Sequence, residues 1–251
     1  LDAVPHAHVV ARLGGDEFAI ALGLRARIDI DAEALALRIV GRIREPYAWQ
    51  RQVLEINACA GVAIIEDCEL STDDMLRRAD LALYAAKAAG AGVCRMFEPH
   101  MELEALTQRA LAADLARAIA EDALELAYQP VVDADTLEIR YMEALLRWRH
   151  PQLGPISPLR FVKLAEETRQ IGDLGRWVLK RACADAIAWP AHVGVAVNVS
   201  PLQLANGDFA GVVLDALEET GLAHERLELE ITESVLLQDR GDDLVALRKL
   251  R

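Results

Sequence analysis

The chain has 251 residues, 53% of them hydrophobic, with a formal net charge of −13. This composition excludes a disordered chain and leaves room for one large or two medium domains. The acidic balance argues against binding a nucleic-acid polymer, which needs a basic surface, so an anionic ligand must be met by a metal, an arginine or a helix N-terminus.

No apolar run reaches the roughly 18 residues of a membrane span, and no signal-peptide pattern opens the chain. Cys59, Cys68, Cys94 and Cys183 form neither a CxxC pair nor a Cys/His cluster. They read as buried free thiols in a reducing, cytoplasmic setting. The chain opens on Leu1 and stops within the helix-like "DDLVALRKLR". Both ends therefore read as cuts, and a fragment of a longer protein is expected.

In chain order, "ARLGGDEFAIAL" predicts two short strands, 9–13 and 17–22, around Gly14-Gly15, because a two-residue hairpin turn needs positive φ. Leu35, Ile39 and Ile43 recur at helical spacing within 32–45. Residues 47–57 and 59–65 read as a second strand pair. Ser71 with Asp74 three residues on predicts a helix start. That helix runs to about Lys87 and ends at Gly90, and the short strand "VCRMF" follows. "EPH" at 98–100 marks a boundary. A helix at about 101–121 then places Leu111, Leu115 and Ile119 on one face.

Beyond 125 the pattern changes. Strands are expected at 126–132 and 137–147. Ser157-Pro158 starts a helix to about 169. Asp173 is expected to cap another to about 188, before a strand at 193–198. Ser200-Pro201 starts a further helix. One more, at 208–220, ends at Gly221, a strand at 227–231 follows, and more helix is expected after it. Strands alternating with helices imply parallel pairing, and both a doubly wound sheet and a (β/α) barrel fit.

Alternation along these strands brings candidate chemistry to one face. Val193, Val195 and Val197 point one way and Asn198 the other; Glu230 opposes Leu229 and Ile231 in the same manner. Glu143 and Arg147 share a face of the strand at 137–147. Three strands thus each offer an oxygen ligand near a C-terminal end, where barrel sites are built. A Glu/Asn/Glu set suits Mg²⁺ or Mn²⁺. A Glu143–Arg147 ion pair accounts for Glu143 without a metal, and periodicity leaves both readings open.

The ordered run "YQPVV…MEALLRWRHP…FVKLAEETRQIGDLGRWVL…VAVNVSPLQL…LELEITES" resembles the front of an EAL domain, a family of phosphodiesterases that linearise cyclic di-GMP. The resemblance implies metal ligands at Glu143, Asn198 and Glu230. It implies substrate contacts at Gln129 and Arg147, and a loop-steadying acid at Glu233. In the chemistry implied, paired metals generate hydroxide and neutralise phosphoryl charge, and Arg147 holds phosphate as a fork. The family's later Asp-Asp-Phe-Gly-Thr-Gly motif and its later Lys, Glu and Gln are absent. The isolated 251-residue chain is therefore expected not to hydrolyse cyclic di-GMP.

"VARLGGDEFAI" and "ADLALYAAKAAG" resemble a GGDEF domain, the diguanylate cyclase family that joins two GTP molecules. The resemblance implies that Gly14 and Gly15 approach GTP phosphates, Asp16 binds metal, Glu17 is a second acid needed for activity and Lys87 contacts phosphate. Ala91 and Gly92 depart from the family's usual Arg and Asn. Pro5-His6-Ala7-His8 replaces its Arg-x-x-Asp product-inhibition motif.

The expected architecture is α/β and α+β: the C-terminal half of a GGDEF (cyclase-like) domain at 1–98, a linker helix at 99–121 and the N-terminal half of an EAL (β/α) barrel at 122–251. The resemblance implies cyclic di-GMP and GTP as ligands, Mg²⁺ or Mn²⁺ as cofactor and a homodimer in the intact protein. The parent is expected to be a cyclic di-GMP phosphodiesterase with the GGDEF half a weak cyclase or GTP-binding regulator. The alternative is a non-catalytic receptor acting through a protein partner.

Overall fold

The computed structural model describes residues 9–23, 31–50, 52–64, 71–205 and 208–231. The chain forms two compact units divided between Thr107 and Gln108.

The first unit opens on an antiparallel hairpin, β1 (Val9–Gly14) and β2 (Glu17–Ala21), with Val10 opposite Ile20 and Arg12 opposite Phe18. Gly15 turns at φ +52°, a conformation glycine adopts without Cβ strain. The Arg12 guanidinium donates from Nε and Nη2 to the Gly15 carbonyl, at 2.9 and 2.6 Å, and ties the tip together. Helix α1 (Ala32–Ile43) starts where the Asp31 carboxylate accepts the Ala34 N–H.

The expected pairing of 47–57 with 59–65 is corrected. The first stretch folds on itself as β3 (Tyr47–Trp49) and β4 (Gln52–Leu54), with Gln50 at φ 54° in the polar break between them. The second supplies β5 (Ala60–Val62), which pairs in parallel with β6 (Cys94–Met96). The crossover between β5 and β6 contains α2 (Thr72–Ala89). The Ser71 hydroxyl accepts the Asp74 N–H at its start, as the spacing predicted. Gly61 lets α2 lie directly on β5: a Cβ there would meet the backbone of Leu83 and Ala79 at 2.1 and 2.2 Å. Ala36, Val40, Ala82, Ala86 and Cys94 are buried in this unit.

Helix α3 (His100–Ala120) contributes its C-terminal half to the second unit. Leu111, Leu115 and Ala118 are buried there with Trp148, Phe161 and Leu164. Ile119 packs at the edge of the same cluster. β7 (Glu125–Val132) and β8 (Ile139–His150) form an antiparallel hairpin. At its turn Asp133 Oδ1 accepts the Asp135 and Thr136 N–H groups, both at 3.1 Å. A strand that periodicity did not reveal, β9 (Gly154–Ile156), folds back on the far end of β8.

Helix α4 (Pro158–Glu167) begins at Ser157, whose side chain makes no cap bond; its carbonyl accepts the Arg160 and Phe161 N–H groups instead. Helix α5 (Ile171–Ile187) starts after Gln170, so Asp173 lies in its first turn and does not cap it. An acid in that position still faces the positive end of the helix dipole. β10 (Gly194–Val199) is followed by α6 (Pro201–Ala205) and α7 (Phe209–Thr220), which ends at Gly221 with φ +75°. β11 (Leu227–Ile231) completes the described sheet.

The strand order is β11-β10-β8-β7 with β9 on β8. β8, β10 and β11 run parallel, while β7 and β9 run against β8. Among the described residues the sheet is open, not closed into a barrel. One face carries Tyr128, Ala144, Val197 and Leu229 into the core with α5 and α7. Burying this apolar layer is what fixes the register, since a one-residue slip would turn it outward.

Candidate functional site

The opposite face is the informative one. Gln129 pairs with Glu143, Glu143 with Ala196, and Asn198 with Glu230. Side chains two residues apart share a face, so Gln129, Glu143, Asn198 and Glu230 all stand on one side of the sheet. The Asn198 side-chain Nδ2 donates to Glu143 Oε1 at 2.7 Å. Burial, then the negative charges of Glu143 and Glu228, raise the Glu230 carboxyl above its usual range. Close carboxylates of like charge suit a cation, which favours both ionised forms.

The position of Glu143 is corrected in one respect. It lies within β8, which continues to His150, and not at that strand's C-terminal end. It stands instead where the ladder with β10 stops, one residue before the last pair, Ala144–Val197. The expected alternative of a Glu143–Arg147 ion pair is not formed. Arg147 is exposed and donates Nη1 to the Leu146 carbonyl at 2.9 Å. Gln129 is likewise exposed, opposite Glu143. Glu233 lies outside the described residues, as does Cys68. Cys59, Cys94 and Cys183 carry free thiols.

Among the described residues, no three His, Cys, Asp or Glu side chains converge as a metal-holding group. The predicted ligands on the β8–β10–β11 face are two carboxylates and one amide, and Glu228 adds a third carboxylate on the same face, opposite Ala196. Their donors are hard oxygens, the chemistry of Mg²⁺ or Mn²⁺ and not of a thiolate-loving ion.

In the first unit, Gly14 and Gly15 have no neighbour where a Cβ would point. Asp16 is exposed at the tip. Glu17 Oε1 meets Lys87 Nζ at 3.2 Å, so β2 and α2 bring these two predicted residues together. Both side chains are about half exposed, which keeps this pair exchangeable.

The roles of three residues near Asn198 escaped the sequence reading, where Ser200 stands only as a helix start. The Ser200 hydroxyl donates to Glu166 Oε1 at 2.6 Å, and the Ser200 N–H donates to Gln203 Oε1 at 2.9 Å. The Ser-x-x-Gln spacing of 200–203 is a capping-box signal that could have found two of them.

Comparison with known families fits this geometry. The EAL domain model matches residues 112–251, and the model described as diguanylate cyclase, GGDEF domain, matches residues 1–93. The chain belongs to the EAL family, with a GGDEF domain in tandem before the EAL domain.

It is 39% identical over 245 residues to the bifunctional diguanylate cyclase/cyclic di-GMP phosphodiesterase MucR of Pseudomonas aeruginosa, covering 96% of this chain and 36% of that protein. It is 35% identical to the cyclic di-GMP phosphodiesterase NbdA of the same organism, covering 97% of this chain and 31% of that protein. The chain thus spans about a third of the length of these curated relatives. A solved structure of the MucR phosphodiesterase in complex with c-di-GMP aligns with a TM-score of 0.53 at 41% identity, over 56% of this chain and 59% of that one. Among the described residues, no helix is long and apolar enough to cross a membrane.

Proposed function

We propose that this chain carries the metal-binding front of a cyclic di-GMP phosphodiesterase that opens the cyclic dinucleotide to linear pGpG. One observation carries the reading: Glu143, Asn198 and Glu230 share a sheet face, and Asn198 already contacts Glu143 at 2.7 Å. Support comes from the EAL match and from relatives named for this activity. Glu143, Asn198 and Glu230 would hold Mg²⁺ or Mn²⁺. When bound, such an ion supplies a hydroxide-like water at neutral pH and offsets charge on the phosphoryl oxygens.

The chain's own residues do the rest. Arg147 is free to turn its guanidinium from the Leu146 carbonyl to a phosphate, and Gln129 stands beside Glu143 to orient the dinucleotide. Glu233 is the acid that steadies a catalytic loop. Hydrolysis breaks one P–O bond, with the water's hydroxide going to phosphorus and its proton to the departing ribose oxygen.

On the GGDEF side, Gly14 and Gly15 admit GTP phosphates, Asp16 holds a metal and Glu17 is the second acid. Lys87 exchanges Glu17 for phosphate. With Ala91 and Gly92 in place of the family's Arg and Asn, this half is a weak cyclase or a GTP-binding regulator. The whole protein works in the cytoplasm as a homodimer.

The test is calorimetric titration of Mn²⁺ and then cyclic di-GMP into the 251-residue chain, beside Glu143→Gln and Glu230→Gln. Hydrolysis is followed in a chain extended to the length of the relatives. Each substitution is expected to weaken Mn²⁺ binding and remove turnover. Unchanged Mn²⁺ affinity in both variants overturns the assignment. Tight nucleotide binding without turnover in the extended chain supports a non-catalytic receptor instead.

A further inference from the structure

Asn198 is the last-but-one residue of β10, and it is exposed. The junction just after it is tied down by hydrogen bonds. Ser200 is bonded four ways there. Its carbonyl accepts the Gln203 N–H at 3.0 Å. Its hydroxyl donates to Glu166 Oε1 on α4 at 2.6 Å and accepts the Leu202 N–H at 3.3 Å. Its own N–H donates to the buried Gln203 at 2.9 Å. Gln203 is in turn pressed against α5 at Gly175, where a Cβ would meet its Nε2 at 1.8 Å. Elements α4 and α6 therefore meet at Ser200, two positions beyond Asn198, and α5 backs the Gln203 side chain that Ser200 bonds.

We propose that Glu166 is a positioning residue for the metal site: by holding the Ser200 hydroxyl it sets the exit of β10 and aims the Asn198 amide at Glu143. This rests on the reading of Asn198 as a metal ligand. A neutral Ser–Gln pair alone would cap α6; the added carboxylate acceptor makes the bond shorter and stronger than a neutral one. Groups that orient metal ligands act on affinity without touching the ion.

The test uses the 251-residue chain with Glu166→Ala, Glu166→Gln and Ser200→Ala. The first readout needs no metal: hydrogen exchange of the Asn198 side-chain amide by NMR. The second is Mn²⁺ affinity. Glu166→Ala is expected to expose the Asn198 amide to faster exchange and to weaken Mn²⁺ binding about 10-fold, the low end for partners of metal ligands. Glu166→Gln keeps an oxygen that accepts the hydroxyl proton and is expected to restore both. Ser200→Ala removes the same bond from its other end and repeats the loss should Glu166→Ala fail to fold. Wild-type exchange at Asn198 in Glu166→Ala and Ser200→Ala, or failure of Glu166→Gln to restore it, overturns the proposal. If Asn198 responds as expected but the wild-type chain takes up no Mn²⁺, the positioning role stands and the metal reading falls.

Discussion

Asn198 and Glu143 are 55 residues apart in sequence and 2.7 Å apart in space, joined by a side-chain amide donating to a carboxylate. Asn198→Asp replaces that donor with a further negative charge beside Glu143, Glu228 and Glu230. Without metal, the variant is expected to melt below the wild type, because like charges meet on one face. With Mn²⁺ it is expected to gain more in melting temperature than the wild type gains, since ligand binding to the folded state adds stability in proportion to its affinity. Thermal melts with and without Mn²⁺ check both signs, and equal shifts in the two proteins count against a shared cation site.

Gly61 has backbone, not side-chain ends, where its Cβ would go: the Leu83 nitrogen at 2.1 Å and the Ala79 oxygen at 2.2 Å. Neither atom can swing aside. Gly61→Ala must lift α2 from β5 and is expected to cost at least about 3 kcal/mol, the upper part of the overpacking range. Urea unfolding of the first unit measures it. A cost below about 1 kcal/mol would show that α2 shifts far more easily than a packed helix should.

His150 is 5% exposed and both of its ring nitrogens are used. Nδ1 accepts the Gln152 and Leu153 N–H groups at 3.1 and 3.2 Å, so the proton sits on Nε2 and is donated to Asp114 Oδ2 at 2.9 Å. His150→Ala removes all three bonds and is expected to cost about 2–3 kcal/mol. The pH dependence runs through Asp114, whose carboxyl is held below its usual range first by the His150 bond and then by the charge of Arg117. A lowered native value means the unfolded chain binds the proton first. The stability Asp114 contributes is then complete above about pH 4 and lost as pH falls through its native value. Asp114→Asn is expected to be less stable at neutral pH and to have a flatter acid limb. Parallel acid limbs in the two proteins would exclude this role.

Much of the second unit was legible because its strands alternate strictly. In "VAVNV" and "LELEI" the apolar set can face only the helices, so Asn198 and Glu230 had to face the other way. The helix ends at Ser71 and Gly221 were legible for a similar reason, since each residue has few other uses at that place. What stayed hidden was non-local. No spacing could show that β5 pairs with β6 and not with the stretch before it, because that choice is made by α2 packing over Gly61. β9 is three residues long, too short for a period to appear. Glu166 was hidden because it acts across 34 residues through one hydroxyl, and a single Glu on an amphipathic helix reads as a solvated charge.

β7 runs against β8, which has a practical side. The turn joining them lies on the rim of the sheet opposite the one near which Asn198 stands, at the C-terminal end of β10. Its bonds are its own, the N–H groups of Asp135 and Thr136 donating to Asp133, and Leu137 is well exposed. A dye or a surface linker attached there would be carried by the same sheet as the acids without standing in front of them. The molecule thus has a handle from which events on its acidic face can be watched one copy at a time.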